Sequence, residues 1–135
     1  MRAPASIAQG ETARSGKQED AVIVKAIART FELWGLTNQE AAQLFDVSIA
    51  TWNRMKAGDF RGHLDQDKRT RASLLVGIFK GLRLYFNGPL TYGWPKSENQ
   101  NSIFAGKAPV RYMTEGGIPA MITTRRYIDG LRGGL

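Results

Sequence analysis

No cysteine occurs anywhere in these 135 residues, and histidine occurs once, at position 63. A disulfide framework and a thiolate zinc site are therefore excluded, and a histidine-rich metal centre has almost nothing to draw on. No run approaches the roughly 20 apolar residues of a membrane span. The opening MRAPASIAQGETARSGKQED also lacks the apolar core of a secretory signal. These absences point to a soluble, cytoplasmic chain. Strand alternation, heptads and internal repeats are missing too, so the predicted fold class is mostly α. Catalytic equipment is equally thin, with no nucleophile–base pair, no phosphate-cradling glycine loop and no metal cluster. Asp65 and Asp67 read as a helix cap and a first-turn carboxylate favoured by the helix dipole, and His63 as a surface loop residue. The expectation is a binding protein, not an enzyme, with no cofactor.

What the chain does have is 42% hydrophobic and 10% aromatic residues, enough to build a core for one compact domain or two very small ones. Its net charge of +7 suits a polyanionic partner, but the excess is lopsided. Residues 1–60 carry seven basic and seven acidic side chains, whereas residues 61–135 carry twelve and five.

The neutral half nevertheless holds the most informative stretch, LTNQEAAQLFDVSIATWNRMKAG from Leu36 to Gly58. Its spacing predicts two short helices joined by a tight turn. Thr37 and Glu40, three apart, form a capping box at the start of the first helix. Ala41, Ala42, Leu44 and Phe45 face inward. Asp46, Val47 and Ser48 make the turn, with Ser48 capping the second helix and Gly58 ending it. Trp52 and Met55 fall on one side of that helix, and the other side carries Ile49, Ala50, Thr51, Asn53, Arg54 and Lys56. This is the layout of a helix-turn-helix, whose second helix enters the DNA major groove. Asn53 and Arg54 are the candidate base contacts, since Arg pairs with guanine and Asn with adenine. Ser48, Ala50, Thr51 and Lys56 complete the candidate DNA-binding set, Thr51 and Lys56 as phosphate contacts.

Around this motif the chain divides into a flexible, polar arm (1–18), a helix-turn-helix region (19–64), a long connecting or dimerising helix (65–86) and a C-terminal domain (87–135). Ile23, Ile27, Phe31 and Trp34 predict an amphipathic helix ahead of the motif. Leu74, Leu75, Ile78, Leu82 and Tyr85 predict the long helix, which serves equally well as intramolecular core. Residues 87–109 are rich in glycine and proline, yet they contain Tyr92, Trp94, Ile103 and Phe104, so this loop packs onto something. Pro109 opens a helix halted at Gly116-Gly117, Pro119 opens another, and the glycine-rich end is expected to be mobile.

The second half resembles the Xre-type antitoxins of the Xre/MbcA/ParS group, partners of bacterial RES-domain toxins. The matching features are Trp94 before a proline, Asn101 with Phe104 and Gly106, Pro109 opening a helix, and Met113 followed by Gly116-Gly117. The resemblance runs from about Gly35 to the C-terminus. It implies an N-terminal helix-turn-helix domain followed by a small helical toxin-binding domain, assembled through an antitoxin homodimer. It also implies a partner toxin that depletes NAD⁺, inhibition by the antitoxin's C-terminal end, and repression of the shared operon by binding operator DNA. Carried onto this sequence, the toxin-binding set is Trp94, Tyr112, Tyr127, Gly130, Arg132, Gly133, Gly134 and Leu135. Asp46 departs from the glycine common at such turns, although aspartate tolerates the left-handed conformation well. The alternative reading is a stand-alone regulator whose C-terminal region senses a ligand or another protein.

Overall fold

A computed structural model describes the backbone of residues 5–133 and the side chains of residues 16–133. Six helices follow one another: α1 (Ala5–Leu33), α2 (Asn38–Phe45), α3 (Ile49–Ala57), α4 (Gln66–Tyr85), α5 (Leu90–Gly93) and α6 (Pro109–Arg132). The short α5 runs straight into a 3₁₀ turn, Trp94–Lys96. No strand occurs among the described residues. An N-terminal helix-turn-helix is thus followed by a helical region, as the sequence predicts.

α1 turns Val24, Ile27, Phe31 and the adjoining Trp34 into the core, while Ile23 is only partly buried. The arm expected over residues 1–18 is instead helical from Ala5, and residues 1–4 lie outside the described set. The physical reason is composition: Ala, Gln, Glu, Arg and Lys recur from Ala5 to Gln18, and good helix formers extend a helix that has already nucleated without needing an apolar stripe.

α4 is the central helix. Asp65 caps it by accepting from the Lys68 amide at 3.0 Å, and Phe86 ends it, matching the predicted limits. Its buried face, Ala72, Leu75, Ile78, Gly81 and Leu82, is shared between α1 and α6. Much of α4 is therefore intramolecular core. Gly81 lets α6 come close, since a β-carbon there would lie 2.7 Å from Ile128 Cγ2. Tyr85, in helical register with these positions, is 43% exposed.

α6 bends where the sequence predicts a break. Gly117 takes φ 67°, ψ −152°, a conformation open to glycine and costly for other residues, and Pro119 follows. Beyond it the helix continues through Gly130 to Arg132, which corrects the expectation of a mobile glycine-rich end as far as Gly133. Ile128 is fully buried there, Leu131 packs on the core, and Asp129 lies 3.3 Å from Arg132. Gly134 and Leu135 lie outside the described residues.

The loop-rich segment packs as expected, with Trp94, Pro95 and Phe104 buried. The Phe104 ring meets Trp94, Tyr112 and Tyr127 edge-on at 5.6, 5.2 and 5.5 Å, and Trp94 stacks on Tyr127 at 6.2 Å. Offset and edge-to-face pairs of this kind are the favoured aromatic geometries. One continuous hydrophobic cluster runs from this box to Phe31, Phe45 and Trp52 at the other end.

Candidate nucleic-acid interface

The turn between α2 and α3 is fixed almost atom by atom through short-range polar contacts. The Thr37 amide donates to Glu40 Oε1 at 2.8 Å, and the Glu40 amide donates back to Thr37 Oγ1 at 3.1 Å, a complete capping box. Burial works against the charge on Glu40, but the Thr37 amide and Lys96 hold its carboxyl below the usual carboxylate range. Asp46 ends α2 in the left-handed conformation, φ 59°, ψ 51°. Lys68 and Arg71 reach within 3.9 Å of its carboxylate, and Arg71 also donates to the Leu44 carbonyl at 3.2 Å. The first two turns of α4 therefore brace the α2–α3 corner. Asp67 lies between the same two cations, and the hydrogen bond from Lys68 above all keeps its carboxyl below the usual range.

Ser48 caps α3, accepting from the Thr51 amide at 3.0 Å, and Gly58 ends it at φ 83°. Trp52 and Met55 are buried, 2% and 3% exposed, and Trp52 packs 5.3 Å from the Phe31 ring. At 100° per residue, this places Ala50, Asn53, Arg54 and Ala57 on the opposite, outward side. All four are exposed. Ala50 sits near the middle of that side, between Asn53 and Arg54. Arg54 Nη2 rests 3.2 Å from Thr51 Oγ1. Thr51 is half-buried on one flank, and its hydroxyl also accepts from Ser48 at 3.0 Å. Lys56 occupies the other flank and donates to Asn38 Oδ1 at 3.1 Å, at the start of α2. Of the six sequence-predicted DNA contacts, Ala50, Asn53 and Arg54 share one face, and Ser48, Thr51 and Lys56 frame it.

The predicted toxin-binding residues are more scattered. Trp94 is 7% exposed and belongs to the aromatic box, so it supports a surface and does not form one. Tyr112 and Tyr127 are half-buried in the same box. Arg132 and Gly133 are exposed at the end of α6 beside Leu84 and Tyr85 of α4, around an open cleft of about 570 Å³. Gly130 is a helical residue of α6.

Sequence reasoning missed two ties. Lys96 Nζ donates to Glu40 Oε1 at 3.0 Å and to the Gly35 carbonyl at 3.2 Å, which links the C-terminal region to the capping box. No local pattern signals a contact across 56 positions. Asp20, only 4% exposed, bonds the Leu64 amide, the Arg69 guanidinium and His63 Nδ1. Here a signal existed: Asp20 falls four and seven residues before Val24 and Ile27, on the inward stripe of α1.

Two short capped helices joined by a left-handed corner and packed on a preceding helix define a helix-turn-helix protein. Residues 13–77 match the antitoxin Xre-like helix-turn-helix domain, a span that covers much of α1, all of α2 and α3, and the first part of α4. The match supports a DNA-binding antitoxin. No curated protein matches the chain.

Proposed function

We propose that this protein is the antitoxin of a two-component toxin–antitoxin system that neutralises a NAD-depleting RES-domain toxin and represses its own operon. The observation that carries the reading is the outward face of α3, Ala50 with Asn53 and Arg54, presented by a doubly capped helix within the segment that matches the antitoxin domain. On DNA, Arg54 turns from Thr51 to a guanine edge and Asn53 meets an adenine, each good pair discriminating by about 1–3 kcal/mol. Ser48, Thr51 and Lys56 hold phosphates and set the register. Two copies, with their motifs about one helical turn apart, read a palindrome. Against the toxin, α6 serves as a rigid stem. Tyr112 and Tyr127, backed by Trp94, shape its flank, Arg132 meets an acidic group, and the end from Gly133 through Gly134 to Leu135 enters the nucleotide pocket.

Co-expression with the product of the neighbouring reading frame tests this proposal. A heteromeric peak on a sizing column is expected, and removal of residues 133–135 should abolish rescue of toxin-expressing cells without altering the helical spectrum. Arg54→Ala should weaken operator binding about tenfold, within the range for a lost bidentate contact, and leave rescue intact. Two separate species at every ratio would defeat the antitoxin reading and leave a stand-alone regulator.

A further inference from the structure

The helix-turn-helix half is electrically balanced in sequence, yet its charges are not balanced in space. Six carboxylates between residues 16 and 63 are described, and five have a cationic partner. Four of those five are taken by groups from outside the half: Arg69 holds Glu19 and Asp20, Lys96 holds Glu40, and Lys68 with Arg71 holds Asp46. Glu32 is paired wholly from within, by Arg29 at 3.5 Å, and Asp20 adds a contact with His63 to its pairing with Arg69. Asp59 alone has no partner among the described residues. The cations Lys17, Lys25, Arg54, Lys56 and Arg61 are thereby left without a carboxylate partner among the described residues.

Four of these five converge. Lys17, Lys25, Lys56 and Arg61 line a single groove of about 630 Å³ between α1 and the end of α3. All four are exposed. The floor includes Val24 and Met55, buried at 6% and 3% exposure, with the half-buried Ala28 and Phe60 beside them, and the four cations rim this apolar strip. One carboxylate, Asp20, borders the groove, and it is engaged by Arg69, His63 and the Leu64 amide. A concave strip with four cations that have no carboxylate partner among the described residues, beside a neutralised acid, attracts a polyanion through field focusing. It adjoins the C-terminal end of α3, beside the face that carries Asn53 and Arg54.

We infer that this groove carries the DNA sugar-phosphate backbone next to the site read by α3, as a second, sequence-independent contact strip. The inference rests on the DNA-binding reading above and extends it from α3 to α1. Phosphates neutralised by lysine and arginine release counterions, and each one adds about 0.9 to the slope of log affinity against log salt. Base-reading residues alter the ratio between operator and unrelated sequence instead.

The test compares Lys25→Ala/Arg61→Ala with the unaltered protein on operator and unrelated duplexes between about 50 and 200 mM salt. The slope should fall by about 2 on both duplexes, and both affinities should fall by the same factor, with their ratio kept. Lys17→Ala should remove a further unit of about 1. Arg54→Ala should reduce the ratio instead. An unchanged slope in a double variant of normal helical spectrum overturns the inference and leaves DNA binding through α3 standing. Loss of toxin binding with an unchanged slope also overturns it, and assigns the groove to the protein partner. If the unaltered protein binds neither duplex, it is the DNA-binding reading that fails, and the inference falls with it.

Discussion

The two ends of this molecule are held by different kinds of interaction. From Thr37 to Gly58 the geometry is set by contacts three residues apart: Thr37 with Glu40, Ser48 with Thr51, and the left-handed residues Asp46 and Gly58. From residue 87 onward it is set by rings drawn together across long stretches of chain, Trp94 with Phe104 and Tyr127. A helix that must stand clear of the body to meet a ligand has little tertiary packing on its outer side, so its limits have to be fixed locally. A region that folds a loop over a core can dispense with local fixation because burial holds it. α4 spans both, bracing the α2–α3 corner with Lys68 and Arg71 at its start and receiving α6 near its end.

The strongest way to break this comparison is to remove one ring at each end. Phe45→Ala and Phe104→Ala both empty fully buried sites and should each cost about 3–5 kcal/mol. Because the hydrophobic cluster is continuous through α4, each variant should shift a single urea transition, seen alike by fluorescence and far-UV circular dichroism. Two separated transitions in Phe104→Ala, with only one displaced, would show that the ends fold independently.

A sharper and smaller test concerns the glycines of α4. Replacing glycine by alanine inside a helix gains up to about 1 kcal/mol in propensity. At Gly81 the added carbon would meet Ile128 Cγ2 at 2.7 Å, and Ile128 is fully buried, so crowding of about 1–3 kcal/mol outweighs the gain. At Gly77 the added carbon meets only the guanidinium end of Arg125, a flexible and partly exposed side chain that can swing away. Gly81→Ala should therefore lower the thermal midpoint and Gly77→Ala should raise it. If both move the same way, α6 does not rest on Gly81 as described.

The same division explains what is legible in the amino-acid sequence. Thr37, Glu40, Ser48 and Gly58 announce themselves because caps and turns demand particular side chains at fixed offsets. The left-handed conformation of Asp46 was readable as a tolerated departure from glycine, and Asp65 to Phe86 emerged at the predicted limits. The burial of residues 87–109 was legible from their apolar content, but the aromatic box was not, since no periodicity relates Trp94 to Tyr127. The end of α6 misled because Gly130 and Gly133 suggest mobility, whereas Ile128 and Leu131 fasten that turn to the core. In the candidate site, the outward face of α3 was readable. The basic groove was not, because it depends on which distant cations neutralise the acids of the first half.

The smallest expected effect lies where the two ends touch. Glu40 is the partner of Lys96 as well as a member of the capping box, and its carboxyl is held below the ordinary range, as is that of Asp67. A carboxylate so held binds fewer protons in the folded chain than in the unfolded one. Its stabilisation is complete above the ordinary carboxylate range and is lost as the pH falls through the lowered, folded value. Both side chains are about a third exposed, 34% and 38%, so solvent screening limits each to about 0–1 kcal/mol. Glu40→Gln keeps an acceptor for the Thr37 amide but loses the charge that Lys96 faces. Its urea midpoint should sit slightly below that of the unaltered protein at neutral pH, and the two curves should converge as the pH is lowered past the carboxylate range. Parallel curves down to acid pH would mean that the Lys96 contact adds nothing to the joint, and that α4 alone ties the reading helix to the C-terminal region.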